Sequence, residues 1–189
     1  MRGLGLGLIV AWLSAGQAIG AESAADAIEA FGLVGVWSID CSKAPIATCD
    51  PKSGCGARTT YEMPPSRVPM IKNVVGTLIP GVGKSFETII ETATRIADDK
   101  LRITSVQVGV PGEVIKLAWF RQPGERWETV FVKAGSKYRV YSAQSEDGRK
   151  ISARDGFMYA PPPDTKYDAI PTNWVRMEKE TPLFERCPN

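Results

Sequence analysis

The sequence predicts a mainly β protein: an eight-stranded antiparallel up-and-down barrel preceded by a short N-terminal helix. Three observations predict it. From Leu101 onward, β-rich runs follow one another, separated by turn signals at intervals of roughly 10 to 14 residues. Within the runs apolar and polar residues alternate. Trp127, Thr129 and Phe131 oppose Arg126 and Glu128, Ile115, Leu117 and Trp119 oppose Lys116, and Tyr138 and Val140 oppose Arg139. One face of each strand is therefore suited to a core and the other to water. Finally, a meander of this length exposes two edges unless it closes on itself, which a barrel achieves.

The elements follow in order. Arg2, the uncharged run Gly3 to Leu13 and the small residues Ala18 and Gly20 read as a signal peptide, residues 1–20. Residues 21–189 are then a single barrel domain. Ser23 can cap a helix over AADAIEAF, which Gly32 would stop. Strands are expected at 33–40 and 58–63, with Gly35, Trp37 and Ile39 sharing one face of the first. Between them lies a loop, 41–57, that carries three of the four cysteines. The apolar stretch 67–79 (Ile71, Val74, Val75, Leu78, Ile79) has helical spacing and predicts a helical lid. Residues 85–97 carry apolar residues at helical spacing too, but their threonines and isoleucines favour a long strand that turns at Asp98-Asp99. Five more strands are expected at 101–109, 113–121, 126–133, 137–143 and 149–159. A Pro-rich tail, 160–189, holds one further ordered run, NWVRMEK.

The cysteines are Cys41, Cys49, Cys55 and Cys187. An even count in an exported chain reads as two disulfides, with three pairings open. The turn-rich DPKSG between Cys49 and Cys55 favours closing that small loop, which leaves Cys41 for Cys187. Charge excludes little except nucleic acid: the formal net charge is +2, and loss of Arg2 would lower it by one. No stretch after residue 20 is long and apolar enough to predict an integral membrane span.

Several chemistries are disfavoured. The chain has no histidine, so imidazole-based triads and nearly all zinc or haem sites are out of reach, and no cofactor or metal is expected. IPGVGKS (79–85) ends like a phosphate-binding loop, but Leu78 stands where that motif needs glycine. Glu87 with Glu91, and Asp98 with Asp99, are the only carboxylate pairs suggesting glycosidase chemistry, and their contexts read as a solvated face and a turn. No catalytic residue is expected.

Gly35-x-Trp37 on a first strand, after a short helix, resembles the opening motif of lipocalins and other calycins. The start GVWSIDCSKAP and the end TPLFERC are similar to those of uncharacterised short secreted proteins of Gram-negative bacteria. The lipocalin resemblance implies an eight-stranded barrel with Trp37 at its closed end and a ligand entering the open end. It also implies a late arginine packed on that tryptophan, a role open to Arg176 or Arg186. The combined expectation is a periplasmic or secreted, non-catalytic barrel binding a small apolar ligand through Trp37, Trp119, Trp127, Phe131 and Tyr138. The alternatives are a protein-binding module, such as an inhibitor of a secreted hydrolase, and a structural envelope protein. Loop 49–55, with Lys52 and Ser53 at its tip, would be the module's contact with its protein partner.

Overall fold

The computed structural model describes residues 22–45, 56–76, 83–109 and 117–188. The expected signal peptide and loop 49–55, including any Cys49–Cys55 bond, lie outside them. One helix, α1 (Ala24–Phe31), opens the fold. The Ser23 hydroxyl accepts the Asp26 N–H at 3.2 Å, and Gly32 ends the helix in the left-handed region at φ 78°. Both cap assignments match the sequence expectation.

Among the described residues eleven strands follow: β1 (Gly35–Ser38), β2 (Arg58–Glu62), β3 (Met70–Gly76), β4 (Gly83–Ala97), β5 (Lys100–Gly109), β6 (Arg126–Ala134), β7 (Lys137–Ser145), β8 (Ile151–Arg154), β9 (Phe157–Ala160), β10 (Val175–Glu180) and β11 (Glu185–Arg186). They form one antiparallel sheet in the order β10-β9-β8-β7-β6-β5-β4-β3-β2-β1-β11. The sheet curls into a half-barrel; it is not the closed eight-stranded barrel that the sequence predicts.

Four corrections account for the difference. Over the described residues of the expected helical lid at 67–79, Met70–Gly76 is instead strand β3, paired residue for residue with β2 and β4. Its β-branched residues suit a ladder once two partners are present, whereas helical spacing alone could not say that partners would be there. The expected strand 113–121 is absent over its described residues 117–121. Here β5 pairs directly with β6, and the chain between them turns back through bonds from Gln107 N–H to Glu125 O and from Gly124 N–H to Gln107 O. The expected strand 149–159 is a hairpin, β8 and β9, because Asp155 and Gly156 both take positive φ (52° and 77°). Asp-Gly is a strong signal for such a two-residue turn. Lastly, the tail contributes strands β10 and β11, and Ile39 lies beyond the end of β1 and is 57% exposed.

The curl can be read from ring contacts. Strands lie about 4.8 Å apart, so β2 and β6, four spacings apart, would be separated by about 19 Å in a flat sheet. Yet Tyr61 of β2 and Phe131 of β6 have ring centroids 6.0 Å apart. Trp37 of β1 and Tyr138 of β7 are 4.8 Å apart. These residues therefore share a concave face. A bulge helps β4 to follow the curve. Ile90 pairs with Ser105 and Thr92 with Thr104, so the buried set shifts from Phe86, Thr88 and Ile90 to Ala93.

At one end of the concavity α1 packs Ala27, Ile28 and Phe31 against Ile90, Ala93, Leu101, Ile103 and the aromatic group. The C-terminal segment completes that end. Phe184 bridges to Tyr138 through two backbone bonds (3.1 and 2.8 Å), and their rings stack at 5.2 Å. β11 then pairs with β1, and Cys187 N–H donates to Val36 O at 2.8 Å. The Cys41–Cys187 disulfide, expected from the sequence, fixes this return across a separation of 146 residues. In the chain-entropy account a loop of this size is worth about 5 kcal/mol. Cys41→Ser and Cys187→Ser should each lower unfolding free energy in urea by a similar amount of that order, and the double variant should lose no more. Additive losses would show that the two sulfurs act separately.

Candidate functional site

The concave face has two chemically distinct halves. Near α1 it is filled by large side chains. Trp37, Tyr61, Phe131 and Tyr138 form an aromatic group joined by edge-to-face contacts, with Phe184 stacked on Tyr138. The Trp37 indole N–H donates to Leu33 O at 2.7 Å, and the Tyr138 hydroxyl donates to that of Tyr61 at 3.2 Å. Burial pushes both phenols well above their ordinary pKa, so they stay neutral. Three of the five sequence-predicted ligand residues, Trp37, Phe131 and Tyr138, are therefore brought together here, as packed core.

Further along the same strands the wall changes. Period-two alternation carries Leu101 and Ile103 on to Ser105 and Gln107, and Phe131 back to Thr129 and Trp127, on one face. Ser105 and Trp127 are direct cross-strand partners. Trp127 belongs to a separate small cluster with Ala143 and Ala153. Its buried neighbours on the pairing strands are short: Ser105 on β5 and Ser145 on β7. Among the described residues, two buried side-chain polar atoms have no hydrogen-bond partner, Ser105 Oγ and Trp127 Nε1. Leaving either group unpaired costs about 1–3 kcal/mol.

Residues 117–125 lie over this half. Their fold is set by side-chain bonds. The Gln122 amide donates to Leu117 O (2.8 Å) and Phe120 O (3.1 Å), and Gln122 N–H donates to Glu125 Oε2 at 2.8 Å. The buried Lys150 ammonium holds Glu125 and Phe120 O at 3.0 and 2.9 Å. Phe120 meets Phe86 of β4 at 5.5 Å between centroids. Arg121 lies over the Trp127 ring, 4.4 Å from guanidinium carbon to centroid. Burial draws the Arg121 pKa down to about 10, opposed by the charge of Glu125, so the group is cationic at neutral pH. Trp119, the fifth predicted ligand residue, is half-buried in this loop and not on a strand. Arg121, Ser105 and Phe86 were not expected as site residues. Ser105 is indistinguishable in sequence from a solvated strand serine, and Arg121 falls in a segment that reads as strand.

Other candidate features resolve structurally. Arg186, rather than Arg176, is the arginine beside Trp37: it is Trp37's partner in register, and its guanidinium fills the space a Gly35 Cβ would need, at 3.0 Å. It donates to Val34 O at 2.9 Å. Arg176 stacks on Phe157 at 3.6 Å. A half-open depression of about 320 Å³ outside the helix end is lined by Phe31, Trp37, Lys133, Lys137 and Arg186. Its cations are engaged, Lys133 over the Phe31 ring at 4.5 Å and Lys137 with Glu185 at 3.1 Å. Glu91 forms an exposed pair with Arg126 at 2.7 Å, which holds its carboxyl below the ordinary range, and Asp98 and Asp99 occupy an exposed turn.

Comparisons with protein-family models, curated proteins and solved structures return no significant match to this chain. The orphaned hydroxyl gives a direct check on the geometry. Ser105→Ala should be neutral or should raise stability by about 1 kcal/mol, since it removes an unpaired buried group. Urea unfolding at unchanged slope measures this. A loss above about 1 kcal/mol would mean that Oγ is bonded in the folded protein.

Proposed function

We propose that this chain is an exported, non-catalytic, lipocalin-like β-protein that binds a small apolar molecule on its concave face. One observation carries the reading: large side chains fill the concavity at the helix end, whereas the Trp127 end is walled by Ser105, Ala143, Ser145 and Ala153. In this reading the short side chains there make room for a ligand, whereas the helix end, packed by its own large side chains, serves stability. Small-molecule sites have the opposite character, an apolar and aromatic wall with a few placed polar groups. Phe86, Phe120 and Trp127 supply the aromatic wall.

Two further observations support the reading. The Cys41–Cys187 bond suits an oxidising compartment outside the cytoplasm. The Gly35, Trp37 and Arg186 arrangement is the one that the lipocalin resemblance implies for a closed end. In this reading Trp37, Phe131 and Tyr138 set the floor, and Trp119 and Trp127 remain as ligand contacts.

Native mass spectrometry of protein purified without detergent tests the proposal, paired with analysis of an organic extract of the same sample. A substoichiometric or full adduct the size of one small lipid, recovered in the extract, is expected. A bare polypeptide mass, with no uptake of any added apolar compound, would contradict it.

A further inference from the structure

We infer that the depression outside the helix end is a second site, separate from the concave face, and that it takes a small organic oxyanion. Its volume is about 320 Å³, at the lower end of the roughly 300–1,000 Å³ of small-molecule sites. Among the side chains that line it are three cations, Lys133, Lys137 and Arg186, and no carboxylate.

Strand register explains why the cations meet there. Lys133 is the cross-strand partner of Tyr138, and Arg186 that of Trp37. Residues directly opposite each other on an antiparallel ladder share a face. Both cations therefore rise from the inward face, at the end where the aromatic packing stops. The Lys133 ammonium lies 4.5 Å from the Phe31 ring centroid and, among the described residues, has neither a hydrogen-bond acceptor nor an ion-pair partner. A ring face attracts the charge and leaves the three N–H donors for another acceptor. Arg186 uses one N–H on Val34 O at 2.9 Å, and a guanidinium has five.

The neighbouring acids are turned elsewhere. Glu185 accepts from Lys137 at 3.1 Å and from Cys41 N–H at 3.2 Å, which neutralises Lys137 alone. Asp99 meets Lys133 through the backbone, its carbonyl accepting Lys133 N–H at 2.8 Å. Ser136, exposed in the turn between β6 and β7, adds a hydroxyl to the rim. An oxyanion answers Lys133 and Arg186, and a compact organic body lies against the edges of Phe31 and Trp37.

An NMR titration of isotope-labelled protein tests this, with phenyl phosphate, benzyl alcohol and inorganic phosphate as probes. The amides of Gly135 and Ser136 and the Trp37 indole N–H report on the depression, and the Trp127 indole N–H reports on the concave face. Phenyl phosphate should shift the first three signals saturably, at least about tenfold more tightly than benzyl alcohol, the gain expected of a charge-assisted contact. The Trp127 signal should stay in place. Inorganic phosphate should shift the same three signals more weakly. Lys133→Gln should bring phenyl phosphate down to the level of benzyl alcohol, and Lys133→Arg should keep most of the preference. Thermal unfolding of both variants shows that they are folded. Equal affinity for phenyl phosphate and benzyl alcohol, a preference that survives Lys133→Gln, or shifts spread evenly over the exposed basic residues would overturn the site. Inorganic phosphate binding as tightly as phenyl phosphate would overturn the organic body. The concave-face reading is tested by its own lipid adduct, so it stands or falls separately.

Discussion

The stacking of Phe184 on Tyr138, with Trp37 set edge-on to the same ring, joins the two ends of the chain across the concavity. A curled sheet of this kind has one face to bury and no second sheet to bury it against. At the helix end the problem is solved by three elements from distant parts of the sequence: α1, the aromatic residues of β1, β2, β6 and β7, and the returning C-terminal segment. Each needs the others. Tyr138 loses its stacked partner if β11 leaves β1, and the Cys41–Cys187 bond limits that departure. Thr181 adds a second tie, its hydroxyl donating to Val140 O at 2.6 Å and its N–H to Gly156 O at 2.7 Å. The tail thereby also stitches β7 to the β8–β9 turn.

With one end so fixed, the other can be built differently. Short side chains around a large indole and two orphaned donors are each unfavourable for stability alone. Their coincidence in one place is the observation on which the proposed ligand reading rests.

Much of this was legible in the sequence, and the limits are physical. Period-two alternation identified Trp127, Thr129 and Phe131 as inward, because one face of an antiparallel strand must be buried whatever the overall closure. The cap residues Ser23 and Gly32 act locally and were readable locally. The long strand β4 was legible from its β-branched content. The Cys41–Cys187 pairing, one of three open in the sequence, was favoured by the turn-rich DPKSG between the other two cysteines. What failed was anything decided by neighbours. Residues 67–79 have a pattern compatible with helix, and only the presence of β2 and β4 on either side makes Met70–Gly76 a strand. Leu117 to Arg121 have strand-like composition, yet β5 takes β6 as its partner and leaves them outside the ladder. Asp155-Gly156 was a readable turn passed over within a longer run. For the candidate site, the aromatic residues were legible and their division into floor and wall was not, because it depends on the size of the residues opposite them on adjacent strands.

The central claim of the proposal is that the short side chains beside Trp127 leave room for a ligand, whereas the helix end is packed by large ones. A crystal structure determined under xenon pressure tests it most directly, since xenon occupies apolar voids without needing specific recognition. Xenon density is predicted between Trp127, Ala143 and Phe86, with none among Ile28, Ile90, Leu101 and Phe131. Xenon confined to the helix end, or bound nowhere in a well-ordered crystal, would contradict the account.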